Sequence, residues 1–477
     1  MTSSASKQLR IFEINTRVFC DRFDQITEED LSGLAKLGFD AVWLMGAWQI
    51  GEGATKISRT LSADFAGSPY AIADYRLSSV LGGQPAYETF RERAVQAGLK
   101  VFLDFIPNHM SLDSEWITEN SELFVTSDAQ VRKQDPGEFF LHCSGTVVAH
   151  GKDPYFPPWY DTAQLDYSCP ELRSRQIRNL INISKLADGV RCDMAMLILR
   201  DYIRQRWYPR ATDQWFSDRM PAEFWGEAIS AVKQKSPGFI FLAEAYWGKE
   251  PQLQQLGFDL TYEKNLYDAL VERSAPRLFQ QLWRPIKEMN SSLFFIENHD
   301  EARAAAVFTA EENIAAMALI LSLPGSVLVH QGQMDGFKQR LPIQLARMPE
   351  GENPDQTLRS RYESLLKATR DPVFADGGFR PFSSQSADVV SFLRFGQRTV
   401  AAYIGQIGGH NGAFAGTPLN ITSIAEIVGT PTALRLTDII GGRSVVVPSN
   451  SGSFIFQPGS LGLPPNARFC LLRVDVE

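Results

Sequence analysis

The chain has 477 residues, of which 44% are hydrophobic and 21% are charged, a composition typical of a globular protein with two or three domains. The net charge of −8 and the lack of a Lys/Arg cluster suited to phosphates exclude nucleic acid as an expected partner. No stretch approaches the roughly 20 consecutive apolar residues that a membrane span needs, so no membrane partner is expected either.

The cysteines and the first residues bear on the compartment. Residues 1–10 are polar and lack the apolar core of a secretory signal. The chain has five cysteines, an odd number without the paired spacing of a metal site: Cys20, Cys143, Cys169, Cys192 and Cys470. These features predict reduced thiols in a cytoplasmic protein, and they leave the oligomeric state open.

Short β-rich segments alternate with longer helical segments over the first 375 residues, which predicts an α/β fold with a parallel sheet. The predicted strands occupy residues 11–19, 41–46, 100–106, 189–193, 239–245, 259–262, 293–297 and 326–331. Eight strands, each followed by a helical pattern, favour a closed (β/α)8 TIM barrel, and a doubly wound sheet is the alternative.

Two regions interrupt this alternation. Residues 110–164 are rich in Gly, Pro, Asp and aromatic residues, which predicts a short, loop-rich domain inserted after the third strand. After residue 375, short alternating apolar segments between Gly, Pro and Asn turns predict a C-terminal antiparallel β domain, a β-sandwich over residues 376–477. The catalytic barrel would then comprise residues 1–109 and 165–375.

Four of the predicted strands stop abruptly at charged or polar residues, which a buried core strand would not favour. In TIM barrels, functional residues lie at the carboxyl ends of the strands. Each of these residues alone also fits a cap of the next helix, but the four segments together predict an active site. The segments are Asp104 to His109, Gly189 to Asp193, Leu242 to Trp247 and Glu297 to Arg303.

Asp193 and Glu244, on adjacent predicted strands, meet the chemical needs of glycosidic bond cleavage. That reaction needs one carboxylic acid to protonate the leaving oxygen and one carboxylate against the anomeric carbon. Arg191 points to the same side of its strand as Asp193 and is expected to hold that carboxylate ionised. Apolar neighbours are expected to raise the pKa of Glu244 toward that of a general acid. Asp300 and His299 are expected to bind sugar hydroxyls and to oppose the developing positive charge.

The four segments, in this order, resemble the conserved regions of the α-amylase superfamily, glycoside hydrolase family 13, from residue 11 to residue 335. The resemblance implies a retaining double displacement on α-glucosidic bonds, with Asp193 as nucleophile, Glu244 as acid/base and Asp300 as the stabilising carboxylate. A tyrosine loop similar to that of the family is present at 68–75. The predicted substrate-binding residues are Tyr70, which would stack on the sugar, and His109, Arg191, His299 and Arg303.

Some positions depart from the family pattern. Many α-amylases have Lys and His three and four residues after the nucleophile, where this chain has Met196 and Leu197. The leaving-group side of the site therefore lacks polar side chains at these positions, and we do not expect a standard starch-degrading endo-amylase. Asn108 matches a residue that ligates calcium in many members and is a candidate calcium ligand. No cofactor is required by the chemistry, and no other metal ligand is indicated.

A few aromatic residues and one histidine have two interpretations. Trp48, Trp159 and Trp247 lie in or beside loops of the predicted functional face, where stacking on a sugar and ordinary packing are both open. His330, at the end of the eighth strand, is expected to be a hydrogen-bonded barrel residue rather than a lining of the pocket floor.

The sequence thus predicts an enzyme that cleaves or transfers α-glucosyl units of oligosaccharides or small α-glucosides. The motifs do not distinguish hydrolysis from transfer, because both share every step until water or a sugar attacks the intermediate. A second hypothesis is a catalytically inactive, amylase-like protein that binds carbohydrate or serves as a subunit. It predicts the loss of at least one carboxylate, whereas all three are present. Linkage, chain length and acceptor are left open.

Overall fold

The computed structural model describes residues 8–397, 399–408, 413–429 and 431–477. Eight parallel strands close into a barrel in which neighbours in space are also neighbours along the chain, with β1 between β2 and β8. The strands are β1 (Arg10–Asn15), β2 (Ala41–Met45), β3 (Lys100–Phe105), β4 (Gly189–Cys192), β5 (Ile240–Ala243), β6 (Leu260–Tyr262), β7 (Ser292–Phe294) and β8 (Ser326–His330). The predicted TIM barrel is confirmed.

The barrel strands are buried on both faces, because side chains fill the inside and helices cover the outside. Every residue of β2 and of β8 is buried. The predicted first strand was wrong over residues 16–19, which form the helical turn Thr16–Phe19. A short apolar segment does not distinguish a buried strand from a buried turn of helix, and Cys20 N donates to Thr16 O to close that turn.

Three of the helices that follow the barrel strands begin at a side-chain cap. Thr27 and Asp30 form a capping box at the first helix, and Thr309 and Glu312 form another at the seventh. These helices are α1 (Glu28–Leu37), α2 (Gly83–Gln96), α3 (Pro170–Leu186), α4 (Phe224–Lys235), α5 (Glu250–Gln255), α6 (Lys264–Val271), α7 (Ala310–Ser322) and α8 (Gln356–Ala368). Further helices in the barrel region are Glu52–Leu61, Arg200–Trp207, Asp213–Arg219, Ala275–Leu282, Ile286–Asn290 and Ala304–Val307.

Two segments at the carboxyl end of the barrel surround the entrance. After β2, Trp48–Ile50 pairs antiparallel with Ile72–Leu77, which places the loop containing Tyr70 beside the barrel mouth. The insertion after β3 contains more regular structure than its composition predicts. It holds the helices Glu115–Glu119 and Ala129–Gln134, a sheet of Thr126–Ser127, Val147–Ala149 and Phe139–Leu141, and the pair His109–Ser111 with Thr162–Gln164.

The C-terminal region forms one antiparallel sheet of six strands, in the order β9-β10-β11-β14-β12-β13, which confirms the predicted antiparallel domain. The strands are β9 (Gly378–Pro381), β10 (Val389–Phe395), β11 (Val400–Gln406), β12 (Ala433–Asp438), β13 (Ser444–Pro448) and β14 (Phe469–Val476). One face contacts α7, where Tyr403 Oη donates to Ala315 O at 3.1 Å.

The predicted β-sandwich differs from the structure at the other face of this sheet. Among the described residues, no second full sheet covers that face. The strand pair Leu419–Asn420 and Ile455–Phe456 and the helix Thr422–Val428 cover it, because the segment that follows Ile421 is helical rather than extended. Phe414, Ile424 and Phe456 fill a core separate from that of the barrel. The remaining helices of this region are Pro372–Asp376 and Ala413–Gly416. Within the described ranges, no helix is long and apolar enough to cross a membrane.

Candidate active site

A cavity of about 850 Å³ opens at the carboxyl ends of the barrel strands. Its size is typical of a small-molecule site, since such sites have ~300–1,000 Å³. Five of the eight predicted site residues line it: Tyr70, His109, Asp193, Glu244 and Asp300. The sequence-based prediction therefore identified residues that line one cavity, although they are up to 230 positions apart in the chain.

Arg191 bridges two of these carboxylates from behind the cavity wall. Its Nη1 lies 2.7 Å from Asp193 Oδ1, and its Nη2 lies 2.6 Å from Glu244 Oε2. The register of β4 and β5 pairs Arg191 with Leu242, which brings the two strand ends side by side. The guanidinium is buried, and its Cζ lies 5.0 Å from the centre of the Tyr70 ring. Arg191 thus holds both carboxylates in fixed positions without lining the cavity itself.

Glu244 receives two further hydrogen bonds. Met194 N donates to Oε2 at 2.7 Å, and Tyr246 Oη donates to Oε1 at 2.8 Å. Met194 has a φ of 40°, in the left-handed region, a conformation that costs a non-glycine residue about 1–3 kcal/mol. Burial raises the pKa of Glu244 to about 7, although Arg191 acts in the opposite direction. A carboxyl group with this pKa can both give and take a proton near neutral pH.

The pKa of Asp193 reflects opposing influences. Burial raises it, although Arg191 acts to lower it, and the nearby Asp104 and Asp300 raise it further. Arg191 was expected to hold Asp193 ionised, and its guanidinium is shared with Glu244. Two carboxylates that share one cation take up a single proton first, so Asp193 and Glu244 titrate as a pair.

Asp300 is held by a chain of buried partners that ends at β1. His299 Nε2 lies 3.0 Å from Asp300 Oδ2 and 2.8 Å from Tyr70 Oη, while its Nδ1 lies 2.5 Å from Glu13 Oε1. Burial disfavours the imidazolium, but Asp300 and Glu13 together raise the pKa of His299 well above its usual value. Burial would also raise the pKa of Asp300, yet His299 outweighs this and holds it at about 2. Asp300 therefore stays ionised.

Glu13 is a residue of this site that the sequence-based prediction missed. It is completely buried, between the apolar residues Phe12 and Ile14 of β1. Its partner His299 lies 286 positions away in the chain, so no local pattern connects the two. The available signal was the isolated charge between Phe12 and Ile14, since a buried charge needs a partner.

His109 lines the cavity as a neutral side chain. Burial lowers its pKa to about 3, and its ring lies 5.1 Å from that of Trp159. Trp159 and Trp247 also line the cavity, and Trp247 is 42% exposed. Trp48, in contrast, is fully buried and donates from Nε1 to Asp104 O at 2.7 Å, so it is a packing residue.

The structure does not bring Arg303 to the cavity, which corrects its assignment to the substrate-binding group. Its Nη1 lies 2.7 Å from Glu297 Oε1 and 2.6 Å from Gln331 O, and the side chain is buried. The turn after Asp300 directs Arg303 behind the cavity wall, where its charge is already neutralised. His330 joins the same cluster at 3.1 Å from Glu297 Oε1, as expected for a hydrogen-bonded barrel histidine.

The surroundings of Asn108 do not fit a calcium site. Its Oδ1 accepts a hydrogen bond from Gln164 Nε2 at 3.0 Å, and its Nδ2 lies 3.4 Å from His109 Nδ1. Calcium takes six to eight oxygen ligands, usually with carboxylates among them. In the part of the chain that the structure describes, no three His, Cys, Asp or Glu side chains are grouped to hold a metal ion.

Met196 and Leu197 contribute no polar group to the predicted leaving-group side of the cavity. Both residues are buried in the short 3₁₀ turn Ala195–Ile198, and neither lines the cavity. Polar side chains from the starts of α5 and α6 line this side instead, among them Glu250 and Lys264. The sequence-based prediction missed both residues, because neither lies at the end of a barrel strand, where functional residues were sought.

The protein is thus a TIM-barrel protein with an acidic cavity at the carboxyl ends of its strands, where functional sites of this fold lie. The family model for the catalytic domain of α-amylases matches residues 24–375. The chain therefore belongs to the α-amylase family.

The chain is also similar to individual members. It is 27% identical over 451 residues to the α-amylase MalA of Haloarcula japonica, an alignment that covers 91% of this chain and 58% of that protein. It thus spans less than two thirds of this relative. The structure of the noncanonic maltogenic α-amylase AmyB from Thermotoga neapolitana matches with a TM-score of 0.74 at 21% identity, over 98% of this chain and 99% of that one. The trehalose-6-phosphate hydrolase TreA of Bacillus licheniformis matches with a TM-score of 0.71 at 16% identity, over 99% of both chains. At these identities, the structural likeness shows the fold alone.

Proposed function

We propose that the protein is a retaining glycosidase or transglycosidase that acts on α-glucosidic bonds of oligosaccharides or small α-glucosides. In this proposal Asp193 is the nucleophile, Glu244 the acid/base and Asp300 the carboxylate that stabilises the transition state. The observation that carries the proposal is the single guanidinium of Arg191, which contacts Asp193 and Glu244 at 2.7 and 2.6 Å. This contact holds a nucleophile and a proton donor at adjacent positions, as double displacement requires.

In the first half of the reaction, protonated Glu244 gives its proton to the glycosidic oxygen while Asp193 attacks the anomeric carbon. The carbon–oxygen bond breaks, the leaving sugar departs as an alcohol, and the glucosyl unit remains as an ester of Asp193. Asp300, ionised because His299 holds its pKa at about 2, opposes the positive charge that develops on the ring.

The same contacts support the second half of the reaction. Formation of the ester removes the charge of Asp193, which had raised the pKa of Glu244. Arg191 then acts on Glu244 alone and favours its ionised form. Glu244 in that form takes a proton from water or from a sugar hydroxyl, whose oxygen attacks the anomeric carbon and releases Asp193. Water gives hydrolysis, and a sugar gives transglycosylation.

The charge of the cavity favours neutral substrates. Asp and Glu side chains outnumber those of Lys and Arg by eight to two among the residues that line it. Sugar hydroxyls can donate to this many carboxylates, whereas a phosphorylated sugar would meet like charge. We therefore propose uncharged glucosides as substrates, although the fold also matches that of a trehalose-6-phosphate hydrolase.

We also propose that the protein works in a reducing compartment such as the cytoplasm. All five cysteines are free. Three of them, Cys169, Cys192 and Cys470, are buried away from any partner with which they could form a disulfide.

A substrate panel tests the proposed function. Maltooligosaccharides, isomaltose, sucrose, trehalose and an aryl α-glucoside are incubated with the wild type and with Asp193→Asn, with and without an added acceptor sugar. A fluorinated α-glucoside is expected to trap a covalent adduct on Asp193, detectable by mass spectrometry of the peptides. Inactivity of the wild type on the whole panel, together with equal sugar affinity of both proteins, would instead support the inactive binding protein.

A further inference from the structure

Glu250 is a buried carboxylate that the proposed mechanism does not use. It lies at the start of α5, six positions after Glu244, is 7% exposed and lines the cavity. Only its own backbone N–H reaches the carboxylate, and no other side chain in the described ranges forms a hydrogen bond or an ion pair with it. Burial raises the pKa of Glu250, which agrees with a site that has no partner for the charge.

The nearest cations do not neutralise Glu250. Arg284 acts on it only at longer range, because its Nη2 is paired with Glu263 Oε2 at 2.5 Å. A buried carboxylate without partners is unfavourable, so a polar ligand that supplies hydrogen-bond donors would gain from binding there. Sugar hydroxyls are such donors.

Lys264 provides a second polar group on the same side of the cavity. It is the first residue of α6, lines the cavity together with Asn265, and forms ion pairs with Asp268 and, at 3.4 Å, with Glu301. Its side chain is 26% exposed and borders the cavity. These ion pairs fix its position at the cavity wall.

The order of the barrel strands places both residues on the leaving-group side. Tyr70 and His109, on the loops after β2 and β3, lie on one side of Asp193, and Glu244 on β5 lies on the other. The proposed acid Glu244 must face the leaving oxygen. Glu250 and Lys264 follow β5 and β6, the next positions around the barrel beyond Glu244 from Tyr70 and His109, and Lys264 borders the strand end that carries Asp300.

We propose that Glu250 and Lys264 form the polar subsite that binds the leaving-group sugar and, in the second half of the reaction, the acceptor sugar. The ligand is an uncharged saccharide whose neighbouring hydroxyls donate to Glu250 and accept from Lys264. This subsite takes the place of the polar positions that Met196 and Leu197 lack. The inference rests on the proposed function, because it presumes that glucosyl transfer occurs at Asp193.

Two variants test the subsite, Glu250→Gln and Lys264→Met, each compared with the wild type. The measured quantity is the ratio of kcat/KM for the best disaccharide of the panel to kcat/KM for an aryl α-glucoside, whose leaving group has no hydroxyls to bind. We expect this ratio to fall about tenfold in each variant, the effect of one hydrogen bond to a charged group. The fraction of product transferred to added glucose is expected to fall by a similar factor.

A matched control and a fold check accompany these variants. Glu88→Gln changes an exposed glutamate on α2 whose partner is Gln84, away from the cavity, and should leave the ratio unchanged. Circular dichroism and thermal unfolding identify a variant that fails to fold, and Lys264→Met and Glu250→Asp then provide the measurement.

The outcomes separate this inference from the proposed function. A ratio and a transfer fraction within about twofold of the wild type in the folded variants would overturn the subsite while leaving the proposed function intact. A wild type without activity on any α-glucoside would overturn the proposed function itself. A fall of the ratio in both variants, with Glu88→Gln unaffected, supports the subsite.

Discussion

The two sides of the cavity are built differently. On the proposed glucosyl side, His299 contacts Tyr70, Asp300 and Glu13 at 2.5 to 3.0 Å, and Glu13 anchors this chain in strand β1. On the proposed leaving-group side, the lining side chains of Glu250 and Lys264 come from helix starts, and Trp247, in the loop after β5, is 42% exposed. Rigid strand ends suit the recognition of one fixed sugar unit, whereas helix starts and loops can vary with the leaving group. The comparison predicts that changes on the glucosyl side affect all substrates, while those on the other side discriminate among them.

The largest effect is expected from Asp193→Asn, which removes the proposed nucleophile on the glucosyl side. The variant retains the shape of the side chain but cannot form the ester, so kcat should fall by about 10³-fold or more on every substrate. Steady-state kinetics on a disaccharide and on an aryl α-glucoside measure this. A loss confined to one of the two substrates would contradict the uniform effect that the comparison predicts.

Glu244→Gln is expected to distinguish substrates by their leaving groups. Substrates with poor leaving groups need protonation and should lose about 10²- to 10⁴-fold in kcat/KM, whereas an activated aryl glucoside should lose far less. In the wild type, activity on the poor leaving groups should fall as the pH rises through the pKa of about 7, because Glu244 then loses its proton. That alkaline limb should be absent from the pH profile of the variant. Equal losses on both substrates would remove the acid role of Glu244.

Glu13→Gln tests the buried chain that holds Asp300. Glu13 contacts His299 directly, and its other charged neighbours are His330 and Asp300. Glutamine retains a hydrogen-bond acceptor for Nδ1 but lacks the charge that raises the pKa of His299, so the imidazolium should lose its proton at a lower pH than in the wild type. Asp300 then loses its cationic partner. For the activated aryl glucoside, which does not depend on protonated Glu244, we expect kcat to fall about tenfold at neutral pH and to be lost at a lower pH than in the wild type.

Two further variants separate this positioning role of Glu13 from a purely structural one. Glu13→Asp restores the charge and should recover part of kcat. Glu297→Gln removes another buried carboxylate, paired with Arg303 and His330 behind the cavity, and should lower the thermal stability without moving the pH profile. If Glu13→Gln changes only the stability, or if Glu297→Gln moves the profile equally, Glu13 does not position His299.

Long-range partners explain which parts of the molecule could be predicted from the sequence. The barrel, the antiparallel domain and the strand ends that carry Asp193, Glu244 and Asp300 follow from local patterns, because an apolar strand that stops at a charge is visible within a few residues. Glu13 could not be assigned in this way, since its partner belongs to the opposite end of the barrel sequence. The assignment of Arg303 to substrate binding went wrong for a different reason. Arg303 lies in the correct segment, but its side chain points into an ion cluster with Glu297.

The smallest effect is expected on the open side of the cavity, at Trp247. Its exposed ring lies 4.9 Å from that of Tyr155 and borders the cavity beyond Glu244, where a second sugar of the leaving group could stack. Trp247→Ala should lower kcat/KM about fivefold for maltooligosaccharides with two or more leaving-group sugars, the scale of one aromatic contact of ~1 kcal/mol. Trp283→Ala is the matched control, because Trp283 is 61% exposed and lies away from the cavity. An equal loss on an aryl α-glucoside would mean that Trp247 shapes the site as a whole, so that the open side of the cavity would not be the part that discriminates by chain length.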